Sequence, residues 1–300
     1  MTLVRPAWLA LAVAAAFYLA SLAVLVREPG FSLAEPLFLL VVLGIAFPLL
    51  AWALTVTPRR PAPADAPAQA PAVLLYLAAF AVLVLGWGFS ALKAKFPDEP
   101  LHSALELVVK LVTMVVLPLW LFGHWHRRRD GPLGARQLLL VFVAMSLAYL
   151  ALQAVFGRGL QAIEDLGPSA STLAWAIPAC WLWMSLEAGL AEEVLFRRIL
   201  QEKLAVATGS HVPAITLASL LFGLAHAPGL WMRGGHLMEG VAQASPAWAV
   251  AYSVVMVAPA GIAFGVLWAR TRSLWLVVPL HGMVDLIPQL APFIRAWTPA

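Results

Sequence analysis

Long apolar stretches alternate with short polar segments along the whole chain. Each stretch is about twenty residues long, which is the length that a helix needs to cross about 30 Å of hydrocarbon. We predict nine membrane spans, near residues 8–26, 36–56, 72–92, 103–122, 137–156, 172–204, 210–227, 248–269 and 274–294. The predicted fold class is therefore an all-α, polytopic transmembrane helix bundle of about eight to nine spans.

The spans divide into an N-terminal hairpin and two further groups. Residues 58–71 are rich in proline and alanine, a composition that favours an extended spacer over a helix. We therefore expect a transmembrane hairpin at 1–57, a linker at 58–71, accessory transmembrane helices at 72–171 and a functional helix core at 172–295.

The composition excludes an ordinary soluble protein and a nucleic-acid-binding protein. Hydrophobic residues make up 62% of the chain and charged residues only 11%, whereas about a quarter of a soluble domain is charged. The net charge of +4 comes from basic residues that are scattered between apolar stretches, so the expected partners are the lipid bilayer and a membrane-associated protein or peptide, with no nucleic acid. The single Cys180 excludes an internal disulfide and a cysteine metal cluster.

The distribution of Lys and Arg predicts that the N-terminus is cytoplasmic. Positively charged residues accumulate in the cytoplasmic segments of membrane proteins. With this orientation the cytoplasmic side holds twelve basic residues, namely Arg5, Arg59, Arg60, Arg127, Arg128, Arg129, Arg136, Arg197, Arg198, Lys203, Arg270 and Arg272. The opposite side holds six, namely Arg27, Lys93, Lys95, Arg158, Arg233 and Arg295. The excess of Arg over Lys and the abundant Ala favour a bacterial inner membrane.

Ionisable residues inside the predicted spans need a functional or structural reason. Such a residue costs roughly 2.5–3.5 kcal/mol at the centre of a membrane. The first five spans hold Glu106 and Lys110 well inside them, four residues apart on one helical face. The last third of the chain holds the others: Glu187, Glu192, Glu193, Arg197, His226, His281 and Asp285.

Helical geometry separates the two adjacent glutamates. At 100° per residue, Glu193 and Arg197 lie about 40° apart and can form an ion pair, whereas Glu192 lies about 140° from Arg197. Glu192 therefore needs a partner on another helix. The predicted helix ends place Glu192 about 18 Å, His226 about 22 Å and Asp285 about 16 Å from the same membrane face. We expect these side chains to converge.

This set of residues is suited to peptide hydrolysis. A carboxylate beside an imidazole can activate water as a general base. The sequence contains neither a G-x-S-x-G nor an H-E-x-x-H motif, and Cys180 lies about 18 Å along the helix from Glu192. No cofactor is expected, although zinc is possible if His226, His281 and a carboxylate from Glu192 or Asp285 form a site with three ligands.

Three ordered motifs resemble those of a known family. Glu192-Glu193-x-x-x-Arg197, Phe222-x-x-x-His226 and His281-x-x-x-Asp285 are similar to the motifs of the CAAX protease and bacteriocin-processing (CPBP) family of intramembrane endopeptidases, which includes the type II CAAX prenyl proteases. The resemblance covers roughly residues 172–290.

The resemblance implies a role for each motif residue. Glu192 would be the general base, with His226 helping it to activate water. His281 and Asp285 would stabilise the oxyanion, and Glu193 and Arg197 would maintain the shape of the site. Because an ionised aspartate cannot donate a hydrogen bond to an oxyanion, we expect Asp285 to orient and charge His281.

The substrate class and two other functions remain open at this stage. The substrate could be a prenylated tail, an exported peptide or a C-terminal sorting tail. The loop 227–247 lies next to His226 in the sequence and could control substrate entry, or it could be an interfacial re-entrant loop with no gating role. The alternatives are a non-catalytic scaffold or an immunity protein, although a degenerate site should have lost a catalytic group. A transporter is disfavoured because the sequence lacks paired broken helices in two matching halves.

Overall fold

The computed structural model describes residues 5–55, 69–123, 133–233 and 245–298. This part of the chain contains no strand, and it holds nine helices that are long and apolar enough to span a membrane, which confirms the predicted fold class. The spanning helices are α1 (Ala7–Leu25), α2 (Ala34–Leu54), α3 (Ala70–Lys95), α4 (Leu101–Phe122), α5 (Ala135–Phe156), α7 (Ala170–Thr208), α8 (His211–Met232), α9 (Pro246–Thr271) and α10 (Leu274–Trp297). A short helix, α6 (Gly159–Leu166), connects α5 to α7.

Three features of the sequence fall largely outside the described residues. These are most of the predicted linker 58–71, the basic residues Arg127, Arg128 and Arg129, and the greater part of the loop 227–247. The end of the predicted linker is described, and Ala70 and Pro71 already belong to α3 there. Proline is well suited to the first turn of a helix because its missing N–H has no helical partner at that position.

Helix α7 is longer than a membrane span requires. Its 39 residues extend about 58 Å, against about 30 Å for the hydrocarbon of a bilayer. It ends at Gly209, which adopts the left-handed conformation with a φ of 66°. The left-handed conformation lets the chain reverse direction after the helix. Glycine adopts it readily, whereas other residue types rarely do. Helix α8 therefore returns antiparallel to α7.

Helices α7 to α10 form the centre of the bundle, and the first five helices pack around them. In α9, 67% of the apolar segment is buried, whereas only 17% is buried in α1 and in α2. Helices α3 and α4 share one core with α7 and α8. Helices α2 and α5 share a second core with α9 and α10. The two outer helix pairs thus contact the predicted functional core directly.

Two glycines allow α10 to pack unusually closely against α7. A Cβ atom on Gly189 would lie 2.5 Å from the carbonyl oxygen of Val278. A Cβ atom on Gly282 would lie 2.2 Å from Oγ of Ser185 and 2.9 Å from the carbonyl oxygen of Trp181. Small residues permit such backbone approaches between membrane helices. The resulting contact brings the helix with His281 against the helix with the two glutamates.

Side chains on neighbouring helices also bond to carbonyl oxygens of α10. Pro288 lies inside α10 and has no N–H to donate to the carbonyl oxygen of Val284. Nε2 of Gln153 on α5 donates to that oxygen instead. Nε1 of Trp181 on α7 donates to the carbonyl oxygen of Pro279 at 3.0 Å. Because unsatisfied backbone groups are costly in hydrocarbon, these bonds fix α10 between α5 and α7.

Replacing Gly282 should loosen this contact. We expect Gly282→Ala to lower the stability by about 1–3 kcal/mol, because the new methyl group would overlap the backbone of α7. The measurement is the thermal midpoint at which the detergent-solubilised protein loses its monodisperse form. Gly134→Ala is the matched control, because a Cβ atom there meets nothing within 4 Å. Equal midpoints for the two variants would show that the close approach is not needed.

Candidate active site

The two glutamates lie where α7 changes its helical geometry. Glu192 lies between two π-helical segments, Ser185–Leu190 and Glu193–Gln201. In such segments the hydrogen bonds join residues five apart, and the wider turn rotates side chains away from their α-helical positions. π-Helical segments also occur in α2, α3, α4 and α9, so in this chain they are not specific to the candidate site.

Glu193 and Arg197 form a fully buried ion pair. Nε of Arg197 lies 3.3 Å from Oε2 of Glu193, and both side chains have 0% exposure. This is the pair that helical spacing predicted. The guanidinium carbon also lies 4.7 Å from the ring centre of Phe222 and 5.9 Å from that of Phe264. Aromatic faces attract a cation, and they help to compensate for its removal from water.

His281 is surrounded by three carboxylates. Its Nδ1 lies 2.9 Å from Oε1 of Glu193. Its Nε2 lies 3.6 Å from Oε2 of Glu192 and 3.6 Å from Oδ2 of Asp285. Glu192 thus lies next to His281 of α10, and its angular position on α7 had indicated a partner on another helix. The carboxylate closest to His281 is that of Glu193, and Asp285 lies beside the other ring nitrogen.

His226 lies on α8 and is half-buried. Its Nδ1 lies 2.9 Å from the carbonyl oxygen of Phe222, which can only accept, so Nδ1 carries the proton in this hydrogen bond. In the neutral ring Nε2 is then the proton acceptor. The Phe222 ring packs edge-on against His226, with centroids 4.9 Å apart, and its centroid is 6.3 Å from that of His281. Phe222 therefore contacts both imidazoles.

Glu192 and His226 line the same cavity, which has a volume of about 360 Å³. Among the described residues of its wall, Lys110 of α4 is the other charged one. The remaining lining is largely apolar and comes from α3, α4, α7, α8 and α9: Phe80, Leu85, Phe89, Met114, Phe196, Ala225, Gly229, Leu230 and Val257. Glu192 thus contacts His281 and also faces the cavity that contains the His226 side chain.

The depths of Glu192 and His226 agree more closely than we predicted, whereas the value of about 16 Å for Asp285 is unchanged. Helix α7 continues to Thr208, four residues beyond the predicted end. Glu192 therefore lies about 24 Å from the turn at Gly209, close to the value of about 22 Å for His226.

The side chains do not fit the possible zinc site. Among the described residues, no group of three or more His, Cys, Asp or Glu side chains is arranged to hold a metal ion. The described residues therefore supply no ready-made zinc site.

Two charged residues beside the site were not assigned a role from the sequence. Lys110 of α4 forms an ion pair with Glu187 of α7. Both residues were recognisable as charges within predicted spans, but the spacing of residues on one helix cannot identify a partner on another. Their contact brings an accessory helix to the cavity wall.

Comparison with known proteins supports the resemblance carried by the three motifs. Residues 174–287 match the family model described as "Type II CAAX prenyl endopeptidase Rce1-like". No curated protein and no solved structure matches the chain. The matched segment runs from the beginning of α7 into α10 and contains Glu192, Glu193, Arg197, His226, His281 and Asp285. Residues 174–287 of this multi-pass membrane protein are therefore similar to the type II CAAX prenyl endopeptidase Rce1-like family.

Proposed function

We propose that this protein is a glutamic-type intramembrane endopeptidase that hydrolyses a peptide bond of a membrane-associated protein or peptide. The observation that supports this most strongly is the position of Glu192. Its side chain lines a largely apolar cavity together with His226, and its carboxylate lies 3.6 Å from His281. Glu192 thus shares the cavity wall with the imidazole of His226 and also lies close to the imidazole of His281, which is not part of that wall.

Glu192 and His226 supply the groups that activate water. The Glu192 carboxylate accepts a proton from a water molecule in the cavity as that water attacks the carbonyl carbon of the peptide. Nε2 of neutral His226 provides a second acceptor, because Nδ1 is held by the Phe222 carbonyl. The proton then passes from Glu192 to the leaving amine.

His281 provides a donor for the negative charge that develops on the carbonyl oxygen. With both ring nitrogens protonated, Nδ1 donates to Glu193 and Nε2 remains available to donate toward the oxyanion. Asp285 is near the same Nε2 atom. It acts on the oxyanion through His281, since an ionised carboxylate is only an acceptor.

Glu193 and Arg197 are positioning residues in this mechanism. Both are completely buried, and neither lines the cavity. The Glu193 carboxylate contacts Arg197 on its own helix and His281 on α10. A fixed imidazole orientation is valuable because electrostatic stabilisation depends on donors that are already in place.

The cavity favours a peptide segment with apolar side chains. The described residues of its wall are mainly apolar, and the charged ones among them are Glu192 and Lys110. We propose a C-terminal sorting tail or an exported peptide as the substrate, with a prenylated tail as the alternative. The protein would reside in a bacterial inner membrane with a cytoplasmic N-terminus, consistent with the distribution of Lys and Arg.

Removing the proposed general base should abolish hydrolysis without unfolding the protein. We expect Glu192→Gln to lower kcat by about 10²–10⁴-fold, because the amide cannot accept the proton from water. The measurement is cleavage of a membrane-inserted reporter peptide by purified protein in liposomes. The control is Glu202→Gln on the same helix, where the glutamate binds Arg272 away from the cavity. Normal turnover by Glu192→Gln would rule out its role as base.

Metal chelators should leave the activity unchanged. The described residues lack a ligand set suited to zinc, so incubation with a strong chelator should not alter the cleavage rate. Loss of activity that added zinc restores would contradict the glutamic mechanism and favour a metalloprotease.

Arg197 should matter much more for stability than the adjacent Arg198. Removing one partner of a buried ion pair typically costs about 3–5 kcal/mol, because the other charge stays buried. We expect such a loss for Arg197→Ala, and less than about 0.5 kcal/mol for Arg198→Ala, which is only partly buried. Thermal denaturation in detergent measures both. Similar losses would show that the ion pair does not stabilise the core.

A further inference from the structure

Three polar residues follow one face of α4, which lies outside the segment that matches the family. His102, Glu106 and Lys110 are spaced four residues apart. Nε2 of His102 lies 3.6 Å from Oε2 of Glu106, and Nζ of Lys110 lies 4.0 Å from Oε1 of Glu106. Lys110 then pairs with Glu187 of α7. We call these four residues the polar stripe.

The polar stripe faces the inside of the bundle. Its side chains are 10–22% exposed. On the opposite face of α4, Val108 is 56% exposed and Val112 is 43% exposed. Since the surroundings of a span are hydrocarbon, these valines are placed to contact lipid tails. The charged residues are shielded from lipid, as expected for ionisable groups within a membrane.

The polar stripe connects one end of the bundle to the cavity. His102 is the second residue of α4, next to the connection from α3, and Lys110 lies about 12 Å further along the helix. Lys110 lines the cavity together with Glu192. The C-terminal ends of α3 and α8 lie together, since Oγ of Ser90 is 4.0 Å from Sδ of Met232. The cavity residues Phe89 and Leu230 are close to these helix ends, so the cavity lies toward the same end of the bundle.

A role in joining helices accounts for only part of the polar stripe. The Lys110–Glu187 pair joins α4 to α7, but the contact between His102 and Glu106 is within α4. In addition, Nδ1 of His102 is buried and makes no hydrogen bond to another described residue. Buried polar atoms of this kind are usually satisfied by water.

We propose that the polar stripe is the route by which water and protons move between this end of the bundle and the cavity. Its role in catalysis rests on the proposed hydrolysis. Each cleavage consumes one water molecule, whose oxygen joins the carbonyl carbon and whose two protons end on the new amine and the new carboxyl group. A site within hydrocarbon must be resupplied with water and must exchange protons with the aqueous phase. Adjacent polar side chains along α4 provide hydrogen-bonding partners for both.

Cysteine accessibility tests whether the polar stripe is hydrated. The chain suits this method because its single natural cysteine, Cys180, is fully buried. Purified variants in liposomes would be treated with 2-aminoethyl methanethiosulfonate, which reacts with thiolates and hence with thiols in contact with water. The test positions are His102→Cys, Glu106→Cys and Met114→Cys. The last lies in the cavity and leaves every residue of the stripe intact.

Matched variants on the lipid-facing side of α4 provide the controls. We expect the test cysteines to react at least about tenfold faster than Val108→Cys and Val112→Cys, because a thiol in hydrocarbon does not ionise. Asp98→Cys, in the connection before α4, marks full exposure. If the three test cysteines react no faster than the two valine replacements in monodisperse protein, the polar stripe is dry and the proposal is wrong.

An activity measurement separates this proposal from the proposed function. We expect Glu106→Gln to lower kcat by about tenfold or more with an unchanged KM, whereas Ser103→Ala, one turn away on α4, should retain the wild-type kcat. Hydrated cysteines with an unchanged kcat in Glu106→Gln would overturn the catalytic role of the route. That result would leave the peptidase assignment intact. Wild-type protein that cleaves nothing would overturn the peptidase assignment and this catalytic role together, while accessibility would still report whether the stripe is hydrated.

Discussion

The Glu193 carboxylate is the group on which the arrangement of the site depends. It contacts Arg197 one turn further along α7 and His281 on α10, at 3.3 Å and 2.9 Å. A lone carboxylate in the centre of a membrane protein would be costly, and so would a lone guanidinium. Each compensates for the other. The carboxylate also orients an imidazole that belongs to a different helix.

Close packing of the backbone makes this contact possible. Gly189 and Gly282 allow α7 and α10 to approach more closely than larger residues would permit. Hydrogen bonds from Gln153 and Trp181 to carbonyl oxygens of α10 then hold that helix against its neighbours. The polar centre and the apolar packing therefore depend on each other. The imidazole reaches Glu193 only because the helices touch, and buried charges are tolerated there because they are paired.

Physical reasoning from the sequence predicted the fold class and much of the set of polar residues. Apolar length predicts spans reliably, because the thickness of the bilayer imposes it. The i,i+4 spacing predicted the Glu193–Arg197 pair. The same reasoning placed Glu192 at a depth similar to that of His226, and the two residues line one cavity. Their catalytic roles remain proposals.

Other features depend on contacts between helices, which spacing along one helix does not encode. The sequence suggested Asp285 as a partner of His281, but it did not indicate the closer contact with Glu193 on another helix. We recognised no sequence signal for the π-helical turns of α7. These turns let Glu192 and Glu193 approach the same imidazole. Lys110 was visible as a buried charge, but its contact with Glu187 appears only when α4 packs against α7.

The central claim is that Glu192 and His226 act on the same water molecule. The most direct measurement is an experimental density map of the protein in a lipid nanodisc, at a resolution that shows ordered water. The account predicts a water molecule within about 3 Å of both the Glu192 carboxylate and Nε2 of His226. A separation of more than about 8 Å between these two groups would contradict it, because no single water could then bond to both.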